Sequence, residues 1–212
     1  MRKWYPALLV VLAFVVAGVA YGRMPARVPI HWDIHGRANG WGGPAMAAFF
    51  MPCILAAIWL LLVVIPRIDP LRANYAKFQG TYATLMDLIL TFMFLTYLLL
   101  LGAALGMHTD LSRATAALIG LLFVGMGNIL PRARRNWFIG IRTPWTLSSD
   151  RVWDRTHRVA GYLFTCAGVL AVIASVINGA VGILVTIVVV LVAVIGAAAY
   201  SYVVWRQEGA PR

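Results

Sequence analysis

Residues 159–202 read VAGYLFTCAGVLAVIASVINGAVGILVTIVVVLVAVIGAAAYSY, and this stretch decides the class of fold. It contains no charged side chain and divides into two apolar runs, Val159–Ile177 and Val181–Tyr202, around Asn178-Gly179-Ala180. A helix rises 1.5 Å per residue, so about 20 apolar residues cross a hydrocarbon core of about 30 Å. Each run has that length. A link this short forces the two helices into an antiparallel hairpin.

The same pattern recurs toward the N-terminus, at Trp4–Tyr21, Ala45–Ile65, Tyr82–Leu105 and Ala114–Leu130. Of the 212 residues, 62% are hydrophobic and 12% charged, whereas a soluble domain carries about 25% charged residues. A soluble enzyme, a secreted disulfide scaffold and a disordered chain are excluded. The expected fold is all-α: a polytopic integral membrane protein with six transmembrane helices. The second span is expected to stop at Pro66-Arg67 and the fourth at Pro131-Arg132, since proline ends the hydrogen-bond ladder and arginine marks the headgroup zone. Arg2-Lys3 and the small residues Gly18-Val19-Ala20 partly fit a signal peptide, but the near-span length favours a retained helix. Cys53 and Cys166 lie inside apolar runs and act there as small hydrophobes.

Orientation follows from lysine and arginine placement. The N-terminus holds two, the second loop three (Arg67, Arg72, Lys77), the fourth loop seven (Arg132, Arg134, Arg135, Arg142, Arg151, Arg155, Arg158) and the C-terminus two. The first loop holds Arg23, Arg27 and Arg37, and the third only Arg113. Basic residues gather in cytoplasmic loops, which places both termini in the cytoplasm. The net charge of +11 is accounted for in this way, and direct nucleic acid binding is not expected. Trp4, Tyr5, Tyr82, Tyr200, Tyr202 and Trp205 fall near span ends, where amphipathic rings prefer the interface. Trp59 sits deeper.

Two loops exceed what connectors need. The first, residues 22–44, is extracytoplasmic in this orientation and rich in turn formers such as Asn39-Gly40. His31, Asp33 and His35 alternate, so an extended strand would put them on one face. That arrangement is a weak metal candidate through His31 and His35; hydrogen-bonded loop residues are the stronger reading, and no cofactor is expected. The loop's His31, Trp32, Asp33, His35, Gly36, Asn39 and Gly40 are the candidate ligand-binding residues. The fourth loop, 131–158, is cytoplasmic and unusually apolar, so it either packs under the bundle or lies in the headgroup layer. Ser148-Ser149-Asp150 reads as a capped helix start, with Val152, Trp153 and Thr156 as the apolar face of the turn that follows. His157 beside Arg158 reads as an interfacial anchor.

The run Gly127-Asn128-Ile129-Leu130-Pro131, then Phe138-Ile139-Gly140-Ile141-Arg142-Thr143-Pro144-Trp145-Thr146-Leu147-Ser148-Ser149, then Val152-Trp153, Thr156-His157-Arg158 and Gly161, resembles the SdpI family. These are bacterial membrane immunity proteins against a sporulation-delaying peptide toxin. Pro29-Ile30-His31-Trp32, Gly36 and Asn39-Gly40-Trp41-Gly42 are similar to the N-terminal module that accompanies it. Asp33 stands where that pattern has asparagine or a small residue, and His35 lies outside it. The resemblance implies an N-terminal two-span module at 1–66 and a four-span module at 67–212. It implies a multi-pass protein of the bacterial inner membrane, not an enzyme, that gives resistance to a membrane-active peptide toxin. A DNA-binding repressor captured at the membrane is a further implied partner beside the lipid bilayer. Docking would then fall on Asn128, Pro131, Phe138, Gly140, Arg142, Thr143, Pro144, Trp145, Ser148, Trp153, His157 and Arg158.

Asp87 is the acid well inside a span, read either as the partner of an arginine from loop two or four or as a proton or ligand relay. Other mid-span polarity is scant, which ranks a small transporter or exporter of amphipathic compounds second. Gly18-x3-Gly22 and Gly102-x3-Gly106 allow close helix approach, as bundle packing or turns more than as a dimer face.

Overall fold

The computed structural model describes residues 4–209. Arg2, Lys3 and Arg212, which entered the orientation argument, lie outside them. In chain order the elements are α1 (Tyr5–Tyr21), strands β1 (Val28–Trp32) and β2 (Ala38–Gly42), α2 (Pro44–Ile68), a 3-10 segment (Arg72–Lys77), α3 (Gln79–Ala104) and α4 (Leu111–Ile129). A 3-10 turn (Leu130–Arg132), α5 (Pro144–Ser148), α6 (Asp150–Ile177) and α7 (Gly179–Gly209) follow. Among the described residues the regular structure is helical apart from the antiparallel pair β1–β2.

Among the described residues five helices are long and apolar enough to cross a membrane: α2, α3, α4 with its 3-10 turn, α6 and α7. The apolar α1 is 17 residues, about 25 Å long and so shorter than a 30 Å hydrocarbon core. At 28 and 31 residues, α6 and α7 exceed that thickness by about 10 Å or more. Only Asn178 separates them.

The second span does not stop at Pro66. The α2 helix contains both Pro52 and Pro66 and runs to Ile68. A proline inside a helix strips its N–H from the carbonyl four residues earlier, here those of Ala48 and Leu62. Both carbonyls are repaired by tyrosines of α3. Tyr97 Oη donates to the Ala48 carbonyl at 3.1 Å, and Tyr82 Oη donates to the Leu62 carbonyl at 2.5 Å. With those acceptors satisfied, the helix continues through both rings.

Packing gathers around three clusters. Leu9, Ala13 and Ala17 of α1 meet Ala48 and Leu55 of α2 and Leu90, Tyr97 and Leu101 of α3. Thus α3, assigned by sequence to the 67–212 module, shares the core of the first two helices. A second cluster joins Leu62 and Ile65 to Tyr75, Phe78, Tyr82 and Ala133. The third holds α6 against α7 and Leu130 through Ala160, Phe164, Ala167, Ala193 and Ala197. Glycines bring α4 and α6 into backbone contact. A Cβ at Gly120 would lie 2.7 Å from the Gly168 carbonyl, and one at Gly161 would lie 2.8 Å from that of Gly127. The expected Gly18-x3-Gly22 pair does no such work, for both face open space. Gly102 meets the Met107 sulfur, and Gly106 (φ +87°) makes the turn after α3.

Candidate functional site

Two constructions stand at opposite ends of the bundle: the β1–β2 hairpin with a cavity beneath it, and a folded cap made of residues 69–78 and 130–149. The hairpin turn is built on one carboxylate. Asp33 Oδ1 accepts the backbone N–H groups of His35 and Arg37, both at 2.9 Å, and Oδ2 meets Arg37 Nε at 3.2 Å. The Arg37 N–H, then that of His35 and the Arg37 side chain, hold the Asp33 carboxyl below the usual carboxylate range. The expected common face of His31, Asp33 and His35 is therefore not formed. β1 ends at Trp32, Asp33 is consumed by the turn, and His31 Nδ1 pairs with Asn39 Oδ1 across the hairpin. Among the described residues no group of three His, Cys, Asp or Glu side chains comes together to hold a metal.

The turn is seated on α4. Ser112 Oγ donates to the Ile34 carbonyl at 2.7 Å, and Gly36, at φ +74°, lies over Leu111 and Ser112. A side chain at Gly36 would be strained whatever the space, because left-handed backbone disfavours a Cβ. Gly40 faces His31 across the strands so closely that a Cβ there would sit 2.8 Å from the His31 Cβ. Asn39, Gly36 and Gly40 thus shape the hairpin, while His35 is exposed.

Between the hairpin, α3, α4 and the start of α7 lies a cavity of about 310 Å³. Of the seven sequence-derived candidates, His31, Trp32 and Asp33 line it. Its apolar wall includes Ile30, Leu100 and Ile183, and its hydroxyls come from Thr96, Ser112 and Thr115. Thr96 Oγ1 is buried with no hydrogen-bond partner. A smaller cavity of about 120 Å³ lies on the α2 side of Ile30 and Trp32, against Met46, Phe50 and Tyr97. The lining from α3, α4 and α7 was not legible in the sequence, because Thr96, Ser112, Thr115 and Ile183 are scattered over 88 positions and meet only through packing.

The cap is held by buried polar side chains. Asn136, fully buried, accepts the Phe138 and Ile139 N–H groups at 3.0 and 2.7 Å and donates to the Arg134 and Ile139 carbonyls. Asp69, also buried, accepts the Leu71 N–H at 2.7 Å, the Trp137 N–H at 2.9 Å and the Tyr75 hydroxyl at 2.9 Å. Burial first, and the Asp69 carboxylate second, push the Tyr75 hydroxyl well above its ordinary range, so it stays a donor. Asn74 Nδ2 donates to the Arg135 carbonyl at 2.8 Å. None of Asp69, Asn74, Tyr75 and Asn136 was among the candidates. One signal was available: Asp69 precedes Pro70 at a helix end, a setting in which aspartate accepts from the backbone two residues on.

Several docking candidates turn out to be the inside of this cap. Trp153 is fully buried and its Nε1 donates to the Ala133 carbonyl at 2.8 Å. His157 is no interfacial anchor. It is fully buried, stacks on Trp153, pairs through Nδ1 with the Trp153 carbonyl at 2.9 Å and accepts the Ile141 N–H at Nε2 at 3.0 Å. Those contacts require the neutral ring with its proton on Nδ1. Gly140, at φ +109°, leaves no room for a Cβ, which would collide with His157 Nε2. Phe138 packs on the Tyr75 cluster, and Pro131 presses on Gly161. Arg142 Nη1 donates to the Trp137 carbonyl at 2.7 Å. Thr143 caps α5 ahead of Pro144 in a reciprocal pair with Thr146, and its hydroxyl meets Ser201 Oγ at 3.0 Å. Ser149 caps α6 as the sequence indicated, by accepting the Val152 N–H. Asn128, Ser148 and Arg158 are exposed. Trp145 is half-buried against the exposed rings of Tyr202 and Trp205. Asp87 lies half-buried on α3, about two turns from Gln79.

Residues 132–201 match the SdpI/YfhL protein family, the segment that contains most of the cap together with α6 and most of α7. In that segment the chain is similar to the SdpI family. Residues 8–56 match a second family described as a domain of unknown function, DUF1648, which takes in the hairpin. Over 205 residues the chain is 26% identical to the Immunity protein SdpI of Bacillus subtilis (strain 168), covering 97% of this chain and 96% of the relative. No solved structure matches. With its long apolar helices and this similarity, the chain is a multi-pass protein of the bacterial inner membrane. The SdpI-family match holds most of the cap and the DUF1648 match holds the hairpin, whereas α3 and α4, which line the hairpin cavity, belong to neither.

Proposed function

We propose that this chain is a membrane immunity protein whose hairpin cavity engages a membrane-active peptide toxin. The observation that carries the reading is the cavity's mixed lining: Ile30, Trp32, Leu100 and Ile183 offer apolar surface beside the Thr96, Ser112 and Thr115 hydroxyls and His31. Such a lining suits an amphipathic chain, for apolar walls supply affinity and a few polar groups fix its orientation. The similarity to an immunity protein over nearly the whole chain supports the same assignment. The loop charges favour the hairpin facing outward and both termini facing the cytoplasm. A peptide arriving from outside then meets the cavity first.

The finer part of the proposal is that occupancy is signalled to a cytoplasmic DNA-binding repressor docking on the cap. In that case Trp145, Tyr202 and Trp205 present the docking surface, while Trp153, His157 and Gly140 shape it from within. A small exporter of amphipathic compounds is the second reading. The place of the cavity at the helix ends favours the first, since a transport path needs polar groups near the bilayer midplane.

The test is survival of cells exposed to the toxin. Trp32→Ala and His31→Ala are expected to raise sensitivity at least about tenfold with unchanged protein in the membrane, as when a central anchor worth about 2 kcal/mol is removed. Wild-type survival in both variants would remove the hairpin from the binding site.

A further inference from the structure

At the end opposite the hairpin, a third concavity, of about 390 Å³, opens between the 3-10 segment and the start of α6. Its lining is wholly polar: Asn74, Lys77, Arg134, Arg135, Asp150 and Asp154. Arg135 Nε meets Asp150 at 2.6 Å and Arg134 Nη1 meets Asp154 at 3.3 Å, so two cations are matched by two carboxylates. Lys77 is exposed and forms no ion pair among the described residues. The pocket therefore keeps one uncompensated positive charge. It also keeps spare donors, because each guanidinium carries five N–H groups and these pairings leave Nε and Nη2 of Arg134 and Nη2 of Arg135 unused.

We propose that this pocket binds a phosphate group, supplied in the membrane by the phosphodiester of an anionic lipid headgroup. The chemistry matches on three counts. Guanidinium and ammonium donors make strong charge-assisted hydrogen bonds to phosphate oxygens. One surplus positive charge balances the one negative charge of a phosphodiester. The carboxylates of Asp150 and Asp154 fix the two arginines and select against more highly charged anions. The location also matches: the pocket lies beside the start of α3, at the end of a membrane-spanning helix. Basic pockets between transmembrane helices are a recognised lipid-headgroup chemistry.

The experiment is native mass spectrometry of the full-length protein in detergent, with phosphatidylglycerol, phosphatidylcholine or inorganic phosphate added separately. Wild type is expected to retain phosphatidylglycerol over phosphatidylcholine. Lys77→Ala and Arg134→Gln should each lower that retention about tenfold, the effect of losing a hydrogen bond to a charged group. Arg72→Ala, on the same 3-10 segment but outside the pocket lining, should leave it unchanged. Displacement of the lipid by millimolar phosphate would support the site and make free phosphate a second source; resistance to displacement would support the lipid as the source. Equal retention of both lipids, wild-type retention in Lys77→Ala and Arg134→Gln, or an equal loss in Arg72→Ala would each overturn the proposal.

Discussion

At Gly140 the chain takes a left-handed turn, φ +109°, directly over the Nε2 atom of His157. Backbone conformation and space both exclude a side chain, and the neighbouring Ile141 N–H needs Nε2 as its acceptor. Gly140→Ala should therefore lower stability by about 2 kcal/mol or more. Thermal unfolding of the detergent-solubilised protein, followed by tryptophan fluorescence, measures it. Gly43→Ala, with open space around it, is the control, and equal midpoints for the two variants would refute the argument. Asp33 makes a second prediction, in pH. Its folded carboxyl titrates below the ordinary range, so the stabilisation it gives the turn is fully present above the unfolded value, near 3.9. That stabilisation is lost as pH falls through the lower folded value. The Arg37 amide shift in NMR should move with the Asp33 carboxyl in this window and lose that response in Asp33→Asn. A response surviving in Asp33→Asn would assign the turn to other groups.

Among the elements, α2 teaches most. Proline at 66 was reason enough to end a helix on sequence grounds, and the helix nevertheless continues. The difference lies in α3, where Tyr82 and Tyr97 supply the donors that Pro66 and Pro52 withhold. This gives a double-mutant prediction. Tyr82→Phe should cost about 1 kcal/mol in the native sequence, the usual worth of one hydrogen bond. In a Pro66→Ala background the restored backbone N–H serves the Leu62 carbonyl, and the same change should cost close to nothing. Thermal unfolding of the four proteins reads out the cycle, and additive effects would mean that the tyrosine does not repair the proline. Close helix approach was legible as a principle but not by position. The glycines that matter sit at heptad spacing on two different helices, Gly120 and Gly127 against Gly168 and Gly161, not at the four-residue spacing within one helix.

For the whole molecule, the two ends are built by opposite means. The hairpin end encloses a largely apolar cavity under a turn that rests on α4 through the Ser112–Ile34 hydrogen bond, whereas the cap end is tied together by buried Trp153, His157, Asn136 and Asp69 beside a concavity lined by charged side chains. The proposed ligand site at one end and the cap at the other require that the ends face different compartments. With Cys53 and Cys166 replaced by serine, cysteine introduced at His35 should react in intact cells with a membrane-impermeant maleimide. Cysteine introduced at Lys77 should react only after lysis. The reverse pattern would invert the assignment of both ends.

Sequence alone was enough to show that the chain is a membrane bundle, roughly where its apolar helices lie, that the first and fourth loops are structured, and that Ser148-Ser149-Asp150 starts a helix, though α6 begins nine residues before the expected span and α7 ends seven after it. All of these are local: apolar run length, turn formers and caps act over neighbouring residues. The burial of Val152, Trp153 and Thr156 follows the apolar face read from the sequence, but it took the tertiary structure to show that His31, Asp33 and His35 do not share a face, that His157 is interior, and that Asp69 ties the second loop to the fourth. It alone brings Thr96, Ser112 and Ile183 to one cavity and two tyrosines to the carbonyls two prolines leave bare. The physical reason is that a buried polar group must find its partner wherever packing places one, and no local pattern records a partner many tens of residues away.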